Sequence, residues 1–351
     1  MFAKKNLVAA AALLAIAGAA QAQVKVYGTV DIGFGSFEKA HAANTPDRAT
    51  KVEGGNMMTS FLGFSAAEDL GGGLKAEVVI ESFLAPDTGE AGGPNTRNKA
   101  GGFWSRGSFV SLSGGFGKVA LGQYDNPLFT SAYTYNPFGS SMPLSATMRH
   151  LNYVGQTSIT GANTGVGFDT GWVNSITYES PAVQGFSAAL QFAPKESGTA
   201  GTDNSYTASG SYNMGPFSAA LTYVKAGDTN TNTAYTADEK VINLGASYDL
   251  GAAKLFAQYT KIDDNTNTEK DTIYQVGVSV PVNDKLVAMA SFGSLKNKDD
   301  GATDSKNDRV LTLGVDYILS KRTDVYAAFM NNQQTGKVSG QTIVGGIKHN
   351  F

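Results

Sequence analysis

Residues 311–319 are Leu-Thr-Leu-Gly-Val-Asp-Tyr-Ile-Leu, and their side chains alternate between large apolar and small or polar types. Successive side chains of a β-strand point to opposite faces, so this stretch has one apolar face and one polar face. The same alternation occurs in residues 241–250 and 273–280. Such a pattern, held over strands of about ten residues, is typical of a strand between lipid and water.

Short and long connections alternate between these predicted strands, as in antiparallel barrels that cross a membrane. The sequence therefore predicts an all-β fold, a 16-stranded antiparallel transmembrane β-barrel that runs from about 23–37 to about 340–351. A barrel of this size is wide enough for an aqueous channel. The predicted tight turns are 71–73, 114–115, 183–185, 215–216, 251–252, 283–284 and 320–322, and the longer connections are 38–56, 85–101, 125–170, 195–203, 227–238, 263–270, 297–307 and 333–340.

The start of the chain has the three parts of a secretory signal peptide. Two lysines precede an apolar stretch over residues 7–20, and the small residues of Ala20-Gln21-Ala22 follow. We predict cleavage after Ala22, which gives a signal peptide at 1–22 and a barrel domain at 23–351.

The composition favours an exported protein without disulfides. The formal net charge is −3, and loss of the leader, with its two lysines and no acidic residue, lowers it to −5. A mildly acidic chain is a poor match for nucleic acid, which needs a clustered basic face. The chain has no cysteine, and 42 of its 351 residues are glycine, well above the usual ~7%.

No catalytic, metal or cofactor site is predicted. The three histidines, His41, His150 and His349, are far apart in the sequence. No Gly-x-Ser-x-Gly motif lies between a strand and a helix, and no cysteine or close histidine pair is present to hold a metal.

Several motifs along the mature chain resemble those of trimeric general porins of Gram-negative bacteria, in particular betaproteobacterial ones. The resemblance implies a homotrimer in the outer membrane, in contact with lipid and lipopolysaccharide, and insertion by a machinery that recognises the terminal Phe351. The motifs are at 24–31, 62–64, 68–76, 112–117 with 121–122, 174–178 with 180–181, 185–186 and 345–351.

The longest predicted connection, residues 125–170, occupies the place of the family's third loop, which folds inward and narrows the pore. Its Asn136-Pro137-Phe138-Gly139 stretch resembles the family's loop tip. A 46-residue connection in a compact protein calls for a functional explanation, and constriction of the pore supplies one.

The resemblance also identifies candidate wall residues. Arg106 matches a wall arginine of the family. Phe61 and Trp172 stand at positions that are usually arginine in relatives, and Ser65 and Gln123 replace arginines that betaproteobacterial relatives often have. Porins of this family set a basic wall against an acidic loop, which creates a transverse electric field at the constriction. With these arginines replaced, the basic side of that field is expected to be weak.

The acidic side of this transverse field also departs from the family pattern. Glu77 matches a constriction carboxylate, and strand alternation places Lys75 and Glu81 on the same lumen face. Between the first and last acidic residues of the long loop, Arg149 is the only formally charged side chain. We therefore expect a slight preference for cations.

Aromatic residues at Phe61, Trp172, Tyr133 and Tyr135 are expected to form part of the narrow region. The alternative is that Phe61 or Trp172 packs beneath the inward loop and never meets solute, since aromatic residues more often serve packing than recognition.

The expected function is passive diffusion of small hydrophilic solutes and ions. Two alternatives remain from the sequence: a channel selective for neutral or aromatic solutes, and a surface adhesin or purely structural barrel.

Overall fold

The computed structural model describes most of the predicted mature chain. The predicted signal peptide at 1–22 and the end of the predicted third loop, 157–170, lie outside the described residues. Those residues are 23–92, 102–156, 172–195, 203–227, 239–264, 269–299 and 306–351.

Strands make up nearly all of the described chain, and two helices lie between the seventh and eighth strands. Helix α1 is Pro127–Thr134 and helix α2 is Ala146–Gln156. Within the described ranges, no helix is long and apolar enough to cross a membrane. The strands are β1 Gln23–Glu38, β2 Arg48–Gly54, β3 Phe61–Gly71, β4 Leu74–Ala85, β5 Glu90–Ala91, β6 Gly107–Gly114, β7 Gly117–Tyr124, β8 Trp172–Glu179, β9 Phe186–Ala193, β10 Ser205–Met214, β11 Phe217–Ala226, β12 Glu239–Asp249, β13 Lys254–Asp264, β14 Glu269–Pro281, β15 Leu286–Asp299, β16 Lys306–Ile318, β17 Thr323–Gln334 and β18 Gly340–Asn350.

The strands form one closed antiparallel barrel. Consecutive strands from β6 to β18 pair with one another, β3 pairs with β4 and β4 with β6. The barrel closes where β18 pairs with β1, from Thr29↔Asn350 to Ser36↔Ile343. Strands β2 and β3 lie end to end along the other edge of β1 and together make one barrel strand, while β5 only extends the end of β4. The predicted 16-stranded barrel is therefore confirmed.

The seven predicted tight turns lie where the sequence places them, between strands such as β3 and β4 or β10 and β11. One predicted connection is wrong in part, since residues 48–54 of the loop 38–56 are strand β2. Alternation over 48–54 is weak because the strand is polar on both faces, and only its pairing with β1 reveals it.

The outer face of the barrel is apolar. Leu311, Leu313 and Val315 of β16 are exposed, whereas Thr312 between them is buried. The sequence alternation therefore separates an outer apolar face from an inner polar one, as expected of strands in lipid.

Aromatic residues form a band near each end of this outer face. On β10, Tyr206 and Tyr212 are six residues apart, which is about 20 Å along a strand. Tyr206 stacks on Phe192 and Tyr212 on Phe186. Two aromatic bands that flank an apolar belt mark the membrane interfaces of outer-membrane barrels.

A buried carboxylate holds the seam where the barrel closes. Asp31 of β1 is 0% exposed, and its Oδ2 accepts hydrogen bonds from the backbone N–H groups of Met57 and Met58, at 2.6 and 2.7 Å. Tyr326 of β17 reaches across β18 and donates its hydroxyl to Asp31 Oδ1 at 2.5 Å. A side chain on Gly346 would occupy the space of the Tyr326 hydroxyl.

Replacing Asp31 should therefore weaken the barrel. We expect Asp31→Ala to lower the free energy of unfolding by about 3 kcal/mol, because it leaves two backbone N–H groups and a hydroxyl without their acceptor. Tyr326→Phe removes one of these bonds and should cost about 1 kcal/mol. Urea unfolding in lipid vesicles measures both. Asp249→Ala at an exposed turn is the control, and an Asp31→Ala barrel as stable as this control would contradict the assignment.

Candidate functional site

The segment 125–156 lies against the inner face of the barrel. It begins at Asn126, whose Oδ1 accepts from the N–H of Leu128 and caps α1, with Pro127 at the first helical position. The Asn126 amide also donates to Gln191 Oε1 and Thr207 Oγ1, both at 2.9 Å. These two residues are inner-face positions of β9 and β10, so the start of α1 is fixed to the wall.

Helix α1 follows the wall across the next strands. Ser131 Oγ donates to Asn243 Oδ1 of β12 at 2.5 Å, and Gln258 Nε2 of β13 donates to the carbonyl of Ala132 at 2.9 Å. Leu128 is 0% exposed in an apolar cluster with wall residues such as Val241. One side of α1 is thus buried against β12 and β13.

Glycines on the inner wall make room for the segment after α1. A Cβ on Gly245 would collide with the Tyr135 ring, and one on Gly277 would lie 2.6 Å from Pro137. A segment can pack this closely on a sheet only where the facing residue has no side chain. The same holds where Ala146 and Phe138 cover Gly293 and Gly314, respectively.

The turn between the helices is organised by Asn136. Its Oδ1 accepts from Phe138 N at 2.8 Å, and its amide donates to the carbonyls of Ala132 and Gly139. Ser141 Oγ donates to the carbonyl of Asn56 at 2.5 Å. The segment is therefore tied both to itself and to the far wall.

Helix α2 packs on β14–β16. The N–H of Thr147 donates to Gln275 Oε1 at 2.9 Å, and buried His150 places its Nε2 3.4 Å from Asp308 Oδ1. Arg149, on the same helix, is half-buried. His150 is thus a wall contact of α2.

An ion pair between Arg106 and Glu81 lies on the opposite wall. Tyr27 donates its hydroxyl to the second oxygen of Glu81 at 2.6 Å, and the Arg106 guanidinium sits 4.0 Å from the centre of the Phe61 ring. Both charges are largely buried and paired, so they add little net charge to the lumen. The predicted wall arginine is present, but as half of an ion pair.

A second group of charges is more exposed. Glu77 lies between Lys75 and Lys118, whose Nζ atoms are 3.6 and 3.8 Å from its two oxygens. The Lys118 ammonium is also 4.9 Å from the centre of the Tyr124 ring. Strand alternation placed Lys75, Glu77 and Glu81 on one face, and in the structure all three have partners on the inner wall. Lys118 was missed, although alternation in β7 points to it.

Two further carboxylates stand next to this group. Glu179 accepts the Tyr124 hydroxyl at 2.9 Å. Burial raises the pKa of the Asp125 carboxyl to about 6, with the Arg106 guanidinium acting against the shift and Glu179 with it. In the sequence, Asp125 is only the first residue of the predicted connection 125–170, and Glu179 is not singled out, because neither residue belongs to a motif.

The predicted aromatic residues are mostly buried. Trp172 is 1% exposed within the apolar cluster of α1, and Phe61 is 7% exposed beneath Arg106. Tyr135 is 3% exposed, with its hydroxyl 3.0 Å from Ser218 Oγ, and Tyr133 packs on Phe129. Burial raises the pKa of both tyrosines. The expectation that Trp172 and Phe61 face solute is therefore not supported, since helix α1 covers one and Arg106 the other.

Ser65 and Gln123 stand at the two other positions where relatives often have arginine, and they differ in exposure. Ser65 lies half-exposed on the inner face of β3, beside Lys25 and Lys75. Gln123 is 7% exposed, and its amide donates to the carbonyl of Ser105 at 2.5 Å. Gln123 thus has a structural hydrogen bond, and only Ser65 faces open space.

Comparisons with known proteins agree with this geometry. The family description of Gram-negative porins matches residues 9–337. The chain belongs to the Gram-negative porin family.

Its relatives cover it almost completely. Outer membrane porin protein 32 of Delftia acidovorans is 34% identical, over 98% of this chain and 95% of its own. Major outer membrane protein P.IB of Neisseria lactamica is 28% identical, over 99% of this chain and all of its own. The solved anion-selective porin from Comamonas acidovorans superposes with a TM-score of 0.75 at 28% identity, over 94% of this chain and 100% of its own.

The porin is therefore an outer-membrane protein that crosses the membrane many times as a β-barrel. Together, the closed barrel, its polar inner face and its relatives establish a channel for passive diffusion of solutes.

The ion preference should depend on pH through Asp125. With a pKa of about 6, this carboxyl loses roughly nine tenths of its charge between about pH 7.5 and about pH 5. Cation preference, measured as the zero-current potential under a KCl gradient, should fall over that range. In Asp125→Asn the fall should be largely abolished, and an unchanged fall in this variant would exclude Asp125 as its source.

A large residue at Gly277 should displace the segment. We expect Gly277→Leu to raise single-channel conductance, because the new side chain takes the place of Pro137 while the barrel stays closed. Gly210→Leu is the matched control, since Gly210 lies on the outer face of β10 with open space around it. Equal conductance in the two variants would show that the packed segment does not narrow the pore.

Proposed function

We propose that this porin is a general diffusion channel whose bore is narrowed by the segment 125–156 and whose lumen slightly favours cations. The segment occupies inner-face positions from β9 to β16 and leaves the charged wall of β4–β8 open to solute. Solutes then move down their own gradients, and no energy source is needed.

The charge balance of that wall supports the cation preference. Three basic residues, Lys75, Arg106 and Lys118, face four acidic ones, which are Glu77, Glu81, Asp125 and Glu179. Arg106 and Glu81 neutralise each other, so the remaining group is close to neutral with one excess carboxylate. Charges that line a wide pore determine its selectivity.

This balance differs from what the name of the Comamonas relative states. That protein is described as anion-selective. In the present chain, residues other than arginine or lysine stand at 61, 65, 123 and 172, where the family resemblance expects a basic wall. We propose that these losses reverse the weak preference.

The assembly and the membrane partners are part of the same proposal. The resemblance to trimeric porins supports a homotrimer in contact with lipid and lipopolysaccharide. The terminal Phe351 supports recognition by the barrel-insertion machinery. Its backbone exchanges hydrogen bonds with Gly28, at 3.1 and 3.3 Å, and its side chain is 41% exposed.

A channel selective for aromatic solutes has less support. Such a channel needs aromatic faces in the lumen, and Phe61, Trp172 and Tyr135 are each less than 10% exposed. No contact among the described residues favours an adhesin or a purely structural barrel.

Two variants of one charge cluster test the selectivity. In a KCl gradient across a planar bilayer, Lys118→Gln should shift the zero-current potential toward greater cation preference, because it removes a positive charge from the lumen. Glu77→Gln should shift it the other way. These opposite signs are expected only if both residues face the ion path. A wild-type potential of anion sign would contradict the proposed preference.

A further inference from the structure

A recess of about 340 Å³ lies between helix α1 and the inner wall of β8–β11. The helix contributes one face to it: Pro127, Thr130, Ser131 and Thr134 follow the i, i+3, i+4, i+7 spacing. The opposite side of α1 carries the apolar residues that pack in the buried cluster. The helix therefore turns the exposed Thr130 and Thr134 toward this space, while the Ser131 hydroxyl donates to Asn243.

The wall opposite is made of small side chains, and this is why the space exists. Ser187, Ala189, Ser209, Ser211 and Ala220 line it from β9, β10 and β11. The hydroxyls already form pairs along the wall, with 2.7 Å between the Oγ atoms of Ser187 and Ser211. Hydroxyls both donate and accept, so these pairs can be extended by a polar ligand.

The charge in the recess has one sign. Asp125 and Glu179 both line it, and no basic side chain is among its described lining residues. Two cations lie just outside that lining, Lys118 opposite Glu179 in the β7–β8 pairing and Arg106, which acts on Asp125. Burial is the main cause of the raised pKa of Asp125, and the nearby carboxylates Glu81 and Glu179 add to it. A cation bound between Asp125 and Glu179 would relieve their repulsion.

We propose that this recess is a binding subsite for small organic cations that carry hydroxyl groups, the size and chemistry of an amino sugar. The proposal rests on the channel function above and names a solute class for it. It adds a site beside α1 at which such a solute pauses during passage.

The lining excludes other ligand classes on physical grounds. An anion would meet two carboxylates and no cation among the lining residues. An apolar solute would displace water from the two carboxylates without replacing its hydrogen bonds, which costs free energy. A solute of monosaccharide size fits the volume, which is at the lower end of small-molecule sites.

The test uses the full-length mature porin in a planar bilayer with KCl on both sides. D-Glucosamine, added to one side, should reduce the potassium current with a saturating dependence on concentration. The neutral probe N-acetyl-D-glucosamine has the same ring and is the matched control. It should block much less at equal concentration, because it lacks the ammonium group.

Variants test whether the glucosamine block arises in the recess. Glu179→Gln and Asp125→Asn should each raise the half-blocking glucosamine concentration by about five-fold, the value of one solvent-exposed ion pair. Asp316→Asn removes the same charge from the lumen face of β16, away from the recess, and should leave that concentration nearly unchanged. Each variant must still conduct KCl in discrete steps, which shows that its channel is folded and open.

The outcomes separate the subsite from the channel itself. Linear inhibition without saturation, equal block by the acetylated sugar, or an equal effect of Asp316→Asn would overturn the subsite while the channel function stands. Absence of any KCl conductance from a folded barrel would overturn the channel function as well.

Discussion

The need to pair every backbone N–H and C=O group in lipid governs the whole structure. Hydrocarbon offers no hydrogen-bond partner, so an unpaired sheet edge there costs several kcal/mol for each group. The barrel meets this constraint by pairing β18 with β1, and the buried Asp31 with Tyr326 holds the two sides of that seam together. Once the barrel is closed, strand alternation leaves only two environments for side chains, lipid outside and water or the inward segment inside.

The inner environment then determines the pore. The inward segment is held by side-chain amides of the wall and approaches closely where glycines such as Gly245 and Gly277 lack a side chain. Its helices contact β9–β12 and β14–β16, and we propose that the charges of β4–β8 are left facing the channel. Packing, charge placement and the proposed path of solutes are therefore three results of the same alternation.

The barrel was predictable from the sequence, because alternation and turn residues are local signals. The sixteen strands and seven turns follow from them, and weakly patterned β2 is the exception. The site was only partly predictable. Alternation predicts that Glu77 and Glu81 share one face of β4. The burial of Trp172, however, depends on a helix that begins 45 residues earlier in the chain. The contacts of Lys118 and Glu179 depend on which residues the pairing of β4, β6, β7 and β8 sets side by side. Such contacts between distant segments produce no periodic pattern in the sequence.

The most direct test of a water-filled channel is the single-channel conductance of the refolded mature protein in planar bilayers over a series of KCl concentrations. Ions that cross a wide aqueous pore keep much of their hydration, so conductance should rise in proportion to the conductivity of the bulk solution, in discrete steps. A barrel shown to be folded by its resistance to unfolding in detergent, yet without conductance steps at any salt concentration, would contradict the account.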